Sequence, residues 1–430
     1  MSKVIFPIKS DKSCLLKWAW SSVYFNSGTS SSCHRTQKYQ INLENFNSFH
    51  NLPDKIAARK LMLAGQWPGA GCEYCKKVED AGGISDRMFQ LQQLNDEQLV
   101  PPELHENNTA VDVSPTILEV YFKNTCNMAC IYCGPHFSSR WEDENRRHDF
   151  LHELTNDKFS VLLEQHNPNY DKMVSNLWDF LKTDNNARNI QRYHILGGEP
   201  FLMSELDSSI AFWARYGHQN LQFSIVTNLN IPHERFKSYI KKFELLAKKK
   251  KIWRLQLTAS LDCWGTEQEY VRYGLDFNLW KKNFEYLLNK SWIYPSINSV
   301  ISALTIKSLP QLIEQINKYN LNQQDVIEEF RIYSNSILHS FNTSSLIDDP
   351  YIFSGEVFKD AFDAALQMMP TDSESQIGQK QMMLGIANIS AQSHNDTKRI
   401  EKLKNYLGQL DSRRGTNWKE NFPWLEQIKT

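Results

Sequence analysis

Between residues 112 and 346 short β-like runs alternate with amphipathic helical stretches, and this alternation limits the possible folds more than any other feature of the chain. Six runs are counted: Ile117 to Phe122, Tyr193 to Leu196, Phe223 to Val226, Leu255 to Leu261, Ile297 to Leu304 and Glu329 to Tyr333. Helical periodicity lies between them, as over Leu206 to Ala214 and Phe236 to Ala247. Strand and helix in alternation predict a parallel sheet with helices outside it. Six repeats are two short of a closed (β/α)8 barrel. The expected architecture is therefore α/β, a partial (β/α)6 TIM-like barrel open on one side.

The flanks read differently. Residues 1–111 hold four cysteines, several glycines and one plainly helical stretch near Asp54 to Leu63, which predicts a loop-rich accessory module. A polar segment with Pro101, Pro102, Asn107 and Asn108 marks the boundary to the barrel at 112–346. Residues 347–430 are polar and mainly helical, an expected C-terminal helical extension. The run Lys248 to Lys251 fits a solvated helix C-terminus, where cations meet the negative end of the helix dipole.

Composition narrows the function. A net charge of -1 over 430 residues gives no sign of a bulk polyanion partner, so nucleic acid is not expected. No early stretch has the build of a secretory signal, and no apolar run approaches the ~20 residues of a membrane helix. The chain reads as cytoplasmic, without a membrane partner. In that reducing setting its eight cysteines read as metal ligands or catalytic groups rather than disulfides.

Directly after the first run stand Cys126-Asn-Met-Ala-Cys130-Ile-Tyr-Cys133. Three thiolates this close in sequence are able to ligate three irons of a 4Fe-4S cube and leave the fourth open. A small molecule with an amine and a carboxylate can chelate an open iron and receive an electron there. A zinc knot or inert core cysteines are the other readings, but zinc sites favour paired Cys-x2-Cys units and four ligands.

This segment resembles the signature of radical S-adenosylmethionine (SAM) enzymes, including the aromatic Tyr132 before the third cysteine, and the resemblance continues in family order to about Tyr333. Gly197-Gly198-Glu199-Pro200, after the second run, looks like the family's GGEP motif. The family has the turn and its glutamate engage the methionyl amine of SAM. Thr227 and Asn228 stand where the family places ribose contacts; Ser260 and Asp262 resemble its Ser-x-Asp strand end. Arg272 is similar to its downstream arginine, which the resemblance pairs with the SAM carboxylate. Thr227, Asn228, Ser260 and Asp262 are also ordinary helix N-cap residue types. Every motif falls at the C-terminal end of its expected strand, the face on which barrel enzymes build their sites.

A second set, Cys14, Cys33, Cys72 and Cys75, supplies four thiolates for a closed cluster or a structural zinc. The Cys-x13-Gly28-x4-Cys spacing resembles the first half of the twitch and SPASM auxiliary-cluster modules, although those usually follow the barrel. Gly65 to Gly71 reads as a ligand-presenting loop or a plain turn, and Cys263 as a buried small hydrophobe. The resemblance thus implies two 4Fe-4S clusters, SAM, a flavodoxin- or ferredoxin-like electron donor, and a peptide or small-molecule substrate. The leading expectation is oxidative modification or crosslinking of a peptide or protein side chain. A small-molecule dehydrogenase or epimerase, and a non-catalytic zinc-binding or electron-transfer protein, are the alternatives. Arg331 and Tyr333 are candidate cavity residues, against the commoner role of interior packing.

Overall fold

In a computed structural model, the structure describes residues 12–33, 35–69, 71–80, 85, 87–88, 99–148, 167–183, 185–288, 290–322, 338–344 and 346–428. Among the described residues eleven strands are present: β1 Trp20–Tyr24, β2 Thr29–Ser31, β3 Tyr39–Gln40, β4 Ile117–Tyr121, β5 Ala129–Cys130, β6 Arg192–Leu196, β7 Gln222–Thr227, β8 Arg254–Ser260, β9 Arg272–Tyr273, β10 Ile293–Ile301 and β11 Leu338–Thr343. Nine form one sheet in the order β11-β10-β8-β7-β6-β4-β1-β2-β3, with β11 and β3 at its edges. Within this sheet the pairings from β11 to β1 are parallel and β1-β2 and β2-β3 are antiparallel; β5 and β9 pair antiparallel apart from it. The expected α/β class with a parallel sheet is present.

Five of the six expected runs are strands of this sheet. The sixth, Glu329 to Tyr333, lies outside the described residues together with Arg331 and Tyr333, and β11 occupies the sheet position beyond β10. The seventh parallel strand, β1, comes from the segment before residue 112 and pairs with β4 from Trp20↔Ile117 to Tyr24↔Tyr121. The main sheet therefore crosses the expected boundary.

The sheet has two unlike faces because side chains alternate along each strand. On one face Leu118, Val120, Tyr193, Ile195, Phe223, Ile225, Leu255 and Leu257 are fully buried. Helices Ser204–Tyr216, His233–Lys248 and Phe277–Leu288 belong to the same core, which they enter with Leu206, Trp213, Phe236, Phe243, Trp280 and Phe284. Phe223 meets Phe243 edge to face at 4.8 Å. The other face carries Ser22, Glu119, His194, Ser224 and Gln256. On it Ser22 Oγ donates to Glu119 at 2.6 Å, and His194 Nδ1 stands 3.6 Å from that carboxylate.

The N-terminal segment is held by two buried cations. Lys55 Nζ donates to Ser21, Ser30 and the carbonyls of Ser31 and Phe49, while Arg59 donates to the carbonyls of Lys17, His50 and Val111. Both sit on helix Pro53–Leu63, as the sequence predicted for that stretch. Gly28, at φ +68, turns β1 back into β2. The region after residue 347 is helical, with Lys359–Met368, Glu374–Ala391 and Thr397–Arg414 its longest elements. Among the described residues no helix is long and apolar enough to cross a membrane.

Candidate active site

The first strand–loop connection carries the three cysteines. After β4 the chain passes through Cys126, pairs briefly as β5, and enters helix Ser139–Arg147, whose N-cap Ser138 accepts from Trp141 N–H. Ser138 Oγ also donates to the Met128 carbonyl at 2.6 Å, and Ser139 Oγ accepts from Cys126 N–H at 3.1 Å. The loop is thus tied to the first turn of the helix that follows it.

Nitrogen donors point at the sulfurs. Asn228 Nδ2 lies 3.8 Å from Cys126 Sγ, and Arg272 Nη1 lies 3.8 Å from Cys130 Sγ. Burial, and after it the neighbouring Cys130, push the Cys126 thiol up to about 12; Cys133 is raised by burial and by Cys130 and Cys126. These thiols feel one another, and two of the three sulfurs have a side-chain nitrogen donor beside them. Among the described residues, no group of three or more His, Cys, Asp or Glu is arranged to hold a metal ion as it stands. All eight cysteines are free thiols.

The GGEP turn is built against the entry to this loop. Gly198 N–H donates to the Lys123 carbonyl at 3.2 Å and Glu199 N–H to the Thr125 carbonyl at 2.7 Å. A Cβ on Gly198 would stand 2.2 Å from Thr125 O, so only glycine permits this approach. Gly197 takes φ +120, a conformation that also favours glycine. Glu199 turns inward. Its carboxylate is fully buried and accepts from Thr227 Oγ1 at 2.8 and 3.0 Å, Asn228 N–H at 2.7 Å and Phe201 N–H at 3.1 Å. Burial raises its pKa to about 7 against the opposing effect of those bonds. Glu199 and Thr227 here join the ends of β6 and β7, while Leu196, Gly197 and Gly198 remain half-buried.

A second buried hub lies on the other side of the loop. Asp262, fully buried, accepts from Tyr132 Oη at 2.6 Å, Arg272 Nε at 2.8 Å, Arg272 Nη2 at 2.9 Å and Val300 N–H at 3.0 Å. Sequence reasoning assigned Arg272 and Asp262 separately to a ligand; the structure pairs them with each other. Strand β9 puts Arg272 there by pairing antiparallel with β5, Cys130↔Arg272. Ser260 is half-buried at the end of β8. Cys263 is fully buried next to Gln268, as a small core residue.

The cysteines before β4 share one environment. Cys14 and Cys72 are buried within one small apolar cluster, with Cys33 packed against it. Burial pushes Cys14 up to about 12, with Cys33 and Cys72 adding to the shift. Buried Lys17 bonds Cys72, and Arg35 N–H points at Cys33 Sγ at 3.4 Å. Cys75 acts on Cys72 and is half-buried.

Sequence reasoning passed over Trp141, Asn127 and Ser138. Trp141 Nε1 donates to the Cys130 carbonyl at 2.8 Å, and Asn127 Oδ1 accepts from Asn228 Nδ2 at 2.9 Å. Ser138 before a helical stretch was a readable capping signal; the other two offered none. Compared with known protein-family models and with curated proteins, the chain matches none.

Proposed function

We propose that this chain is a radical SAM enzyme built on a partial (β/α)6 barrel, with Cys126, Cys130 and Cys133 as ligands of a 4Fe-4S cluster. The observation that carries the reading is the convergence of four separate motifs. The cysteine loop, the GGEP turn, Thr227–Asn228 and Asp262 lie at or just past the ends of β4, β6, β7 and β8, with Arg272 brought to Asp262 by β9, and they bond to one another. The donor set fits the cluster: three thiols from one loop, two with nitrogen donors at their sulfurs. Cys126, Cys130 and Cys133 would each hold one iron of such a cluster and leave the fourth iron for SAM.

When bound, such a cluster with one open iron supplies the electron that cleaves SAM reductively, giving a 5′-deoxyadenosyl radical that abstracts hydrogen from substrate. This chain's residues do the holding. The half-buried Leu196–Gly198 turn offers backbone groups to the methionyl end of SAM. Glu199 and Thr227 keep that turn rigid, and Arg272, fixed by Asp262, places positive charge at Cys130. Cys14, Cys33, Cys72 and Cys75 are proposed ligands of an auxiliary cluster. With it, the reading favours oxidation of a peptide or protein side chain, with electrons from a flavodoxin- or ferredoxin-like donor.

Metal analysis of anaerobically reconstituted protein tests this. About eight irons per chain are expected for two cubes, falling to about four when Cys72 and Cys75 are both replaced by alanine. Zinc at the central trio would defeat the proposal.

A further inference from the structure

The helix Thr397–Arg414 packs onto the cysteine loop from the far end of the chain. Tyr406, fully buried, donates Oη to the Ile131 carbonyl at 3.2 Å. Tyr270 Oη donates to Asp411 at 2.9 Å, and Asp411 also accepts Trp418 N–H at 2.7 Å, which anchors the end of the helix.

Arg414 goes deepest. Its side chain is 3% exposed, and Nε donates to Glu144 at 3.0 and 3.3 Å. Its guanidinium lies 4.6 Å from the ring centres of both Trp141 and Tyr273. Those rings flank the backbone at Cys130, since Trp141 donates to the Cys130 carbonyl and Tyr273 is the strand partner of the preceding residue, Ala129. Arg272 contacts the Cys130 sulfur directly. Cys130 thus has one guanidinium at its sulfur and a second, Arg414, behind both rings that flank its backbone; Arg140 meets the Tyr273 ring alone, also at 4.6 Å. The Glu144 carboxylate opposes that second charge and also faces Arg413 at 3.8 Å.

We propose that Arg414 is a positioning residue for the three-cysteine centre: it locks the Trp141 and Tyr273 rings and, by its buried charge, raises the reduction potential of the iron–sulfur cluster held by Cys130. The inference rests on the radical SAM reading. A fixed positive charge in a low-dielectric interior favours the more negative, reduced state of a nearby centre, and charges beyond the ligands tune such sites. The C-terminal extension is then a part of the centre.

The test uses full-length protein reconstituted with iron and sulfide without air. The reduced-state electron paramagnetic resonance signal that changes on adding SAM reports the central cluster alone, and its midpoint potential is read by titration. Arg414→Met keeps the apolar stem against the rings and lowers the midpoint. Arg414→Lys restores most of it. Glu144→Gln removes the opposing charge and raises it. Packing alone predicts no such opposition of sign. A wild-type midpoint in Arg414→Met, or both variants moving the same way, overturns the proposal. Should Arg414→Met fail to fold, an unchanged midpoint in Glu144→Gln overturns it. Wild-type protein without a SAM-responsive signal instead removes the radical SAM reading, and this inference with it.

Discussion

Replacing Asp262 by asparagine probes the hub that joins β8, β9, β10 and the cysteine loop. The carboxylate takes four donors, two on each oxygen: Tyr132 Oη and Arg272 Nε on Oδ2, Arg272 Nη2 and Val300 N–H on Oδ1. Asparagine keeps one oxygen and turns the other into an NH2 group. In either orientation two donors then face a donor, and Arg272, 6% exposed, loses its countercharge. Breaking one side of a buried ion pair costs about 3–5 kcal/mol, roughly two to three and a half decades in the unfolding equilibrium. Removing the three side chains together costs less, because no charge is stranded and only the Val300 N–H loses its acceptor. Urea unfolding of the metal-free, reduced protein is the assay, with Asp262→Asn compared against the combined Asp262→Leu, Arg272→Met and Tyr132→Phe. A loss under about 1 kcal/mol in Asp262→Asn, or a larger loss in the combined variant, would refute the reasoning.

Two further outcomes are expected. Gly198→Ala drives a methyl against the Thr125 backbone beside Cys126, destabilising the protein by about 1–3 kcal/mol and weakening SAM binding; a wild-type melting curve with wild-type SAM affinity contradicts this. Glu199 titrates from 4.5 unfolded to about 7 folded. Between those values the unfolded chain has lost the proton that the native state keeps, so this group's contribution to stability falls as pH rises from 4.5 to 7 and is level above. Urea midpoints across that window should slope less in Glu199→Gln than in wild type, and equal slopes would rule the assignment out.

The strands that the sequence disclosed are those with apolar residues on the helix-covered face. Arg254–Ser260 shows this most plainly, since Arg254, Gln256, Thr258 and Ser260 alternate with Leu255, Leu257 and Ala259; Gln222 and Ser224 do the same beside Phe223 and Ile225, and Glu119 between Leu118 and Val120. Trp20–Tyr24 was hidden because Ser21 and Ser22 are buried in it. Their hydroxyls bond Lys55 and Glu119, partners 34 and 97 residues away that no local pattern shows. β10 begins before the expected run: Pro295 reads as a strand breaker, yet it sits where, among the described residues, β10 pairs with β8 alone. The cysteine trio and the GGEP turn were legible since each is contiguous. That Arg272 and Asp262 pair with each other, and that Tyr406 reaches Ile131 across 275 residues, are consequences of tertiary packing.

The central claim is that the trio Cys126, Cys130 and Cys133 supports one-electron cleavage of SAM, and 5′-deoxyadenosine formation reads it most directly. Reconstituted wild-type protein given SAM and a strong reductant should release 5′-deoxyadenosine, and the same protein with all three cysteines changed to alanine should release none. A silent wild type, or cleavage that survives in the triple variant, would contradict the account.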